Sequence, residues 1–185
     1  MEIELLERQS SELRKDIVEV CYHSKAGHVG GSLSAIDILN VLYFNELRID
    51  PNNPKMENRD RFILSKGHIA EALYVTLAKR GFFAYSELDN FSGYNTKYIG
   101  HPNNKVAGVE MNTGALGHGL AIGVGLAIAA KKMGQDYRTY VLMGDGELAE
   151  GSIWESAMAA GHYKLDNLCA IVDRNHLQIS GCTET

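Results

Sequence analysis

Apolar positions along the chain recur with two alternating periods. Leu6, Leu13, Ile17, Val20 and Cys21 fall at helical spacing, so residues from about 3 to 25 are expected to form an amphipathic helix with a polar outer face. That helix should stop before the glycine-rich AGHVGG. Ser34 and Asp37 have the spacing of a capping box, and Ile36, Leu39, Leu42 and Tyr43 supply the apolar face of a second helix ending near Glu46. After the polar loop RIDPNNPKMENRD, the run RFILS suits a buried strand, SKGH a turn, and IAEALYVTLAKRG a helix closed by Gly81. A polar, aromatic-bearing stretch from Phe82 to Val109 precedes a Gly/Ala-rich helix from about Gly117 to Met133. Then come the strand TYVLM, the turn GDGE, a helix across Ile153 to His162 and the strand LCAIVD.

Strands alternating with helices predict a doubly wound α/β fold, a mainly parallel sheet with helices on both faces. Gly119, Gly123 and Ala127, at every fourth position, should let their helix lie close against a neighbour. The length of 185 residues, with 45% hydrophobic and 22% charged, fits a single domain over residues 1–185, its sheet unfinished at Thr185. A net charge of −5 argues against nucleic acid as a partner, because no basic stripe displaces counterions. Cys21, Cys169 and Cys182 form no CxxC pair and are odd in number, which favours a reducing, cytoplasmic setting. The amino terminus MEIELLERQSSELRKD is charged from its second residue and has no apolar secretory core. Residues 114–130 are the most membrane-like, yet fall short of the roughly 20 apolar residues of a span and contain His118, so a buried helix is expected.

Chemistry is concentrated where strands end. TYVLM runs into Gly144-Asp145-Gly146, at the carboxyl edge where parallel sheets bind ligands. Such a turn can also be purely conformational, its glycines supplying unusual backbone angles. The next strand, however, also ends in polar residues, Asp173-Arg174-Asn175. Neighbouring strand ends would bring Asp145 and Asn175 within reach of one ion. A carboxylate, an amide oxygen and a backbone carbonyl form a hard oxygen site, suited to Mg²⁺ that completes its octahedron with water and phosphate oxygens. Gly146 has no side chain to obstruct a phosphate, and helix-start amides can donate to one.

Gly-Asp-Gly followed by Asn after residues 147–174 resembles the signature of thiamine-diphosphate enzymes. GHVGGSLS around His28, LSKGH ending at His68, IGHP around His101 and TGALGHGLAIGVGLA from Thr113 narrow the resemblance to transketolase, in particular the amino-terminal subunit of two-chain transketolases. The match runs from about residue 10 to the end.

This resemblance implies a transferase that uses thiamine diphosphate and Mg²⁺, or another hard ion such as Ca²⁺, to move two-carbon ketol units between sugar phosphates, as in the pentose phosphate pathway. Asp145, Asn175 and the carbonyl of Leu177 would be metal ligands, and Gly144 would join them in the cofactor site. His68 and Gly146 would contact the diphosphate, and Gly114 and Leu116 would flank the aminopyrimidine, although Leu116 could equally be core. His28, His68 and His101 would meet the hydroxyl groups of the sugar donor, work that suits imidazoles because they donate, accept and carry protons near neutral pH. His23, His118 and His162 are expected to be structural. Glu150 is either an acid favoured by a helix N-terminus or, as the resemblance implies, a residue of an oligomer interface linking two cofactor sites.

Three features depart from the pattern. His176 stands where the family usually has Gly, a strained choice if the backbone needs a positive φ. GHVGG replaces the commoner GHPG. The chain also lacks the pyrimidine-binding domain, with its ylide-forming glutamate, so a separate chain should supply it and the chain alone should be inactive. Two alternatives stay open: another thiamine-diphosphate transferase such as 1-deoxyxylulose-5-phosphate synthase, or a non-catalytic remnant that serves binding or assembly.

Overall fold

In the computed structural model, which describes residues 2–184, the chain divides into two compact units. One runs to Met56 and resumes over His68–Asn112; the other holds Glu57–Gly67 and the chain from Thr113 onward.

The first unit is helical. Helix α1 (Ile3–Ser24) buries Leu13, Ile17, Val20 and Cys21, the face its periodicity predicts. Helix α3 (Ala70–Arg80) ends as expected at Gly81, whose φ of 98° few side chains tolerate. Helix α2 (Val29–Val41) corrects the sequence reading: it begins five residues before the Ser34 capping box. Asp37 instead pairs with Arg14 at 2.6 Å. The cap comes from elsewhere in the chain, because Glu71 Oε1 accepts the backbone N–H of His28 at 2.6 Å. Beyond Val41 the chain continues as a π turn over Leu42–Glu46, closed by Leu47 N–H donating to the Leu42 carbonyl at 2.8 Å. The apolar face therefore reaches the expected end near Glu46.

The second unit is a parallel sheet with helices. Strands β1 (Arg61–Leu64), β2 (Thr139–Gly144) and β3 (Leu168–Asp173) lie in the order β1-β2-β3. Helix α4 (Gly119–Met133) and helix α5 (Gly151–His162) contribute Leu120 and Ile153 to a core with Ile63, Val141 and Met143. Phe62, Leu64, Tyr140 and Leu142, which point the other way, are buried too. Both faces of β1 and β2 are thus withdrawn from water, the condition in which parallel strands occur. Side chains built on Gly119 or Gly123 would run into Ser65 and Val141, so the small-residue spacing does mark a close approach. A short antiparallel hairpin, β4 (Leu177–Gln178) and β5 (Gly181–Cys182), follows β3. Among the described residues, no helix is long and apolar enough to cross a membrane.

Candidate functional site

Strands β2 and β3 end level with one another, Gly144 opposite Asp173, so their turns leave the sheet side by side. Asp145 Oδ1 accepts the N–H of Gly146 at 3.0 Å. Its Oδ2 accepts the N–H of His176 at 2.8 Å and the hydroxyl of Thr183 at 2.9 Å. Asn175 Oδ1 accepts the N–H of Leu177 at 3.0 Å, which folds the turn back on itself. Burial alone would raise the pKa of Asp145, but the donors from Thr183, His176 and Gly146 outweigh it and hold the carboxyl below its ordinary range. His176 has φ 63°, the left-handed conformation that the family glycine would suit. That geometry costs about 1–2 kcal/mol for an ordinary residue, although histidine is among the side chains enriched there. Its ring lies 3.2 Å from Glu184 and 3.2 Å from Arg174.

The donor set passes a simple test for a hard divalent ion. A carboxylate offers roughly four lone-pair positions, and three of those on Asp145 are used. The other candidate ligands, the Asn175 amide oxygen and the Leu177 carbonyl, are likewise hard oxygens and belong to the neighbouring turn, which His176 N–H ties to Asp145. At Gly146 an added Cβ would lie 3.0 Å from Gln178 Cβ, a tight contact that favours glycine at this position.

Buried charge braces this edge, and sequence reasoning did not find it. Lys66, 1% exposed, places Nζ 2.7 Å from Asp173 Oδ2. Ser65 donates its hydroxyl to Glu147 Oε1 and accepts the N–H of Gly119 at 3.1 Å. Glu147, 2% exposed, also accepts N–H groups from Gly117 at 2.8 Å and from Gly144, through Oε2, at 3.1 Å. Two adjacent residues after β1 thus each grip one of the two turns, Ser65 through Glu147 and Lys66 through Asp173. The available signal was position: a polar Ser-Lys pair directly after an apolar strand, where solvent exposure was the default expectation.

The loop carrying Gly114 and Leu116 is pinned to the same edge. Thr113 donates its hydroxyl to the Leu64 carbonyl at 2.7 Å. The Gly117 carbonyl accepts from the Ser152 hydroxyl at 2.7 Å. Gly114 and Gly117 both have positive φ, 147° and 85°. Leu116 is exposed, which removes the ordinary-core alternative. Glu150 occupies the N-cap position of α5, yet its side chain makes no capping bond and is exposed.

In the helical unit, the rings of His28 and His68 meet edge to face, with centroids 5.1 Å apart. His101 is exposed and anchored through its backbone, its carbonyl accepting the Tyr74 hydroxyl at 2.8 Å. The histidines expected to be structural lie against local groups. His23 is 3.9 Å from Glu19, His118 Nδ1 is 3.1 Å from the Leu116 carbonyl, and His162 packs on Tyr163.

Comparison with known proteins places the chain in a family. Residues 7–185 match the family described as transketolase, thiamine diphosphate binding domain. The chain is 56% identical over 184 residues to an apulose-4-phosphate transketolase subunit of Phocaeicola vulgatus, covering 100% of this chain and 66% of that protein. It is 42% identical over 180 residues to a 6-deoxy-6-sulfo-D-fructose transketolase subunit of a Clostridium species, covering 97% of this chain and 66% of that protein. The crystal structure of transketolase from Campylobacter jejuni superposes with a TM-score of 0.93 at 38% identity, over 98% of this chain and 30% of that one. The chain spans 66% of the length of the first two relatives. It belongs to the thiamine-diphosphate-binding domain family of the transketolases.

Proposed function

We propose that this chain is the cofactor-anchoring half of a split transketolase, which pairs with a separate pyrimidine-binding chain and transfers a two-carbon ketol unit between sugar phosphates. The observation that carries the reading is the 2.8 Å bond from His176 N–H to Asp145, which ties together the two turns that bear the hard oxygen ligands in a chain of this family. Asp145, Asn175 and the Leu177 carbonyl hold Mg²⁺ or a similar ion, and Gly144 and Gly146 leave space for the diphosphate. Gly114 and Leu116 flank the aminopyrimidine. His28, His68 and His101 bind the donor's hydroxyl groups and take up or return their protons, with His68 also contacting the diphosphate. Thiamine diphosphate, when bound, supplies the electron sink for carbon–carbon cleavage.

Two observations favour a second, partner chain. The relatives from Phocaeicola vulgatus and Actinobacillus succinogenes each carry the name of one subunit of an apulose-4-phosphate transketolase. Helix α5 leaves Trp154 and Met158 exposed, four residues apart, with Glu150 at its start. Exposed aromatic and methionine side chains are enriched at interfaces, and this surface is where the chain would form an oligomer. Three cysteines without a CxxC pair agree with a cytoplasmic enzyme of sugar metabolism.

The test is cofactor binding by the chain with its partner. Thiamine diphosphate should bind only with Mg²⁺ or Ca²⁺ present, and Asp145→Ala should abolish that binding. Binding indifferent to metal and to Asp145 would overturn the site assignment. Turnover with pyruvate rather than a ketose phosphate as donor would move the activity to another branch of thiamine-diphosphate enzymes.

A further inference from the structure

A buried carboxylate in the helical unit has no part in the reading above. Glu71, in the first turn of α3, is fully buried. Its Oε1 accepts the backbone N–H of His28 at 2.6 Å and the hydroxyl of Ser32 at 2.7 Å. Its Oε2 is buried with no hydrogen-bond partner. A carboxylate is costly to bury in this way, and no ion pair with a cationic side chain offsets it among the described contacts of Glu71. What it touches accounts for its position. His28 is the N-cap residue of α2, and Ser32 lies in the first turn of that helix. Glu71 itself follows His68 by three residues, at the end of the short turn Gly67–Ile69 that leads into α3. One side chain therefore fastens the backbone of His28 to the segment that carries His68.

The fit around it is close. A side chain at Gly27, where φ is 124°, would meet Cys21 Sγ at 2.5 Å and Glu71 Oε1 at 3.1 Å. The Gly27-His28 loop can approach the carboxylate only because residue 27 has no side chain. Burial, and secondarily the charge of Glu71, push the Cys21 thiol up to about 11, so the neighbouring sulfur stays a neutral packing group.

We infer that Glu71 is a positioning residue for the His28–His68 pair: it sets the edge-to-face approach of the two imidazoles through the backbone of His28. The inference rests on the donor-binding role proposed for these histidines. Removing the acceptor frees the start of α2 and lets His28 swing away, while His68, outside the bonds that Glu71 makes to His28 and Ser32, keeps its place; the grip on the donor weakens and the contacts to metal and diphosphate stay.

The test uses the full chain with its partner chain, Mg²⁺ and thiamine diphosphate. Glu71→Met should raise the KM for the ketose phosphate about tenfold, as expected when a binding group moves by a fraction of an ångström to an ångström. Its kcat should fall no further than that of His28→Ala, and its affinity for thiamine diphosphate should stay within about twofold of the parent. Glu71→Gln, which keeps an acceptor at Oε1, should restore the parent KM. Glu71→Met added to His28→Ala should cost nothing beyond His28→Ala alone, because both act through one group. Crystal structures should show the ring centroids separated from their 5.1 Å approach in Glu71→Met and retained in Glu71→Gln. Should Glu71→Met not fold, Glu71→Asp withdraws the acceptor by one methylene and carries the same expectations at smaller size. Unmoved rings, or effects of Glu71→Met and His28→Ala that multiply, overturn the inference. If His28→Ala leaves the donor KM unchanged, the donor-binding reading of His28 fails, and the ring separation alone then decides whether Glu71 positions it.

Discussion

The two units bury acidic side chains in opposite ways. At the sheet edge, Glu147 uses both carboxylate oxygens against three donors, and Asp173 meets the ammonium of Lys66. In the helical unit, Glu71 uses one oxygen twice and leaves the other without a partner. Pairing each buried charge behind the Gly144–Gly146 and Asp173–Asn175 turns fixes their geometry, as the proposed metal ligands would require. Glu71 instead gives the His28–His68 pair a single fixed backbone point. Full pairing serves rigidity, and a single anchored oxygen serves placement.

The contrast can be broken most severely at Lys66. Lys66→Met leaves the Asp173 carboxylate buried without its cation and should destabilise the chain by about 3–5 kcal/mol, read as a lowered urea midpoint. The double variant Lys66→Met with Asp173→Leu should cost less than Lys66→Met alone; an equal or greater cost would mean that the pair is not the controlling contact.

A smaller and sharper test compares amide substitutions at the two glutamates. Glu147→Gln must turn an NH2 group toward a donor whichever way the amide sits, and should cost about 1–3 kcal/mol. Glu71→Gln can place its NH2 where Oε2 already lacks a partner, and should cost less than Glu147→Gln because every bond to Oε1 is kept. Equal losses in thermal or urea unfolding would erase the distinction drawn between the units.

The smallest effect is expected at His176. His176→Gly removes the left-handed strain of a φ of 63° and should stabilise the chain by roughly 1 kcal/mol or less, since glycine also loses more backbone entropy on folding. Its exposed contacts with Glu184 and Arg174 are worth little. A rise in Tm with tighter Mg²⁺ binding would show that the edge tolerates strain at one place; a fall in both would show that the ring contributes to the site.

Much of the architecture was legible in the chain. The periodicities of α1, α3, α4, β1 and β2 follow from one buried face or from full burial, and the glycine that ends α3 follows from its required φ. The positions of the turns at Gly144–Gly146 and Asp173–Asn175 were readable because each directly follows an apolar strand run, TYVLM or LCAIVD. The start of α2 was not readable. Local rules assign a cap to the helix's own sequence, whereas here the acceptor arrives from Glu71, 43 residues away.

The sequence by itself determined the alternation of strands and helices, the family motifs and the candidate oxygen ligands, because each depends on residue type and short-range spacing. Only the tertiary structure decided which charges are buried and what compensates them. Nothing in the local sequence marked Lys66, Glu147 and Glu71 as buried, because charged side chains are exposed by default. Their burial depends on partners supplied across long stretches of sequence, Asp173 for Lys66, Ser65 and Gly117 for Glu147, and His28 for Glu71. No local pattern encodes such pairings, since the energy that permits a buried charge belongs to the assembled site and to neither residue alone.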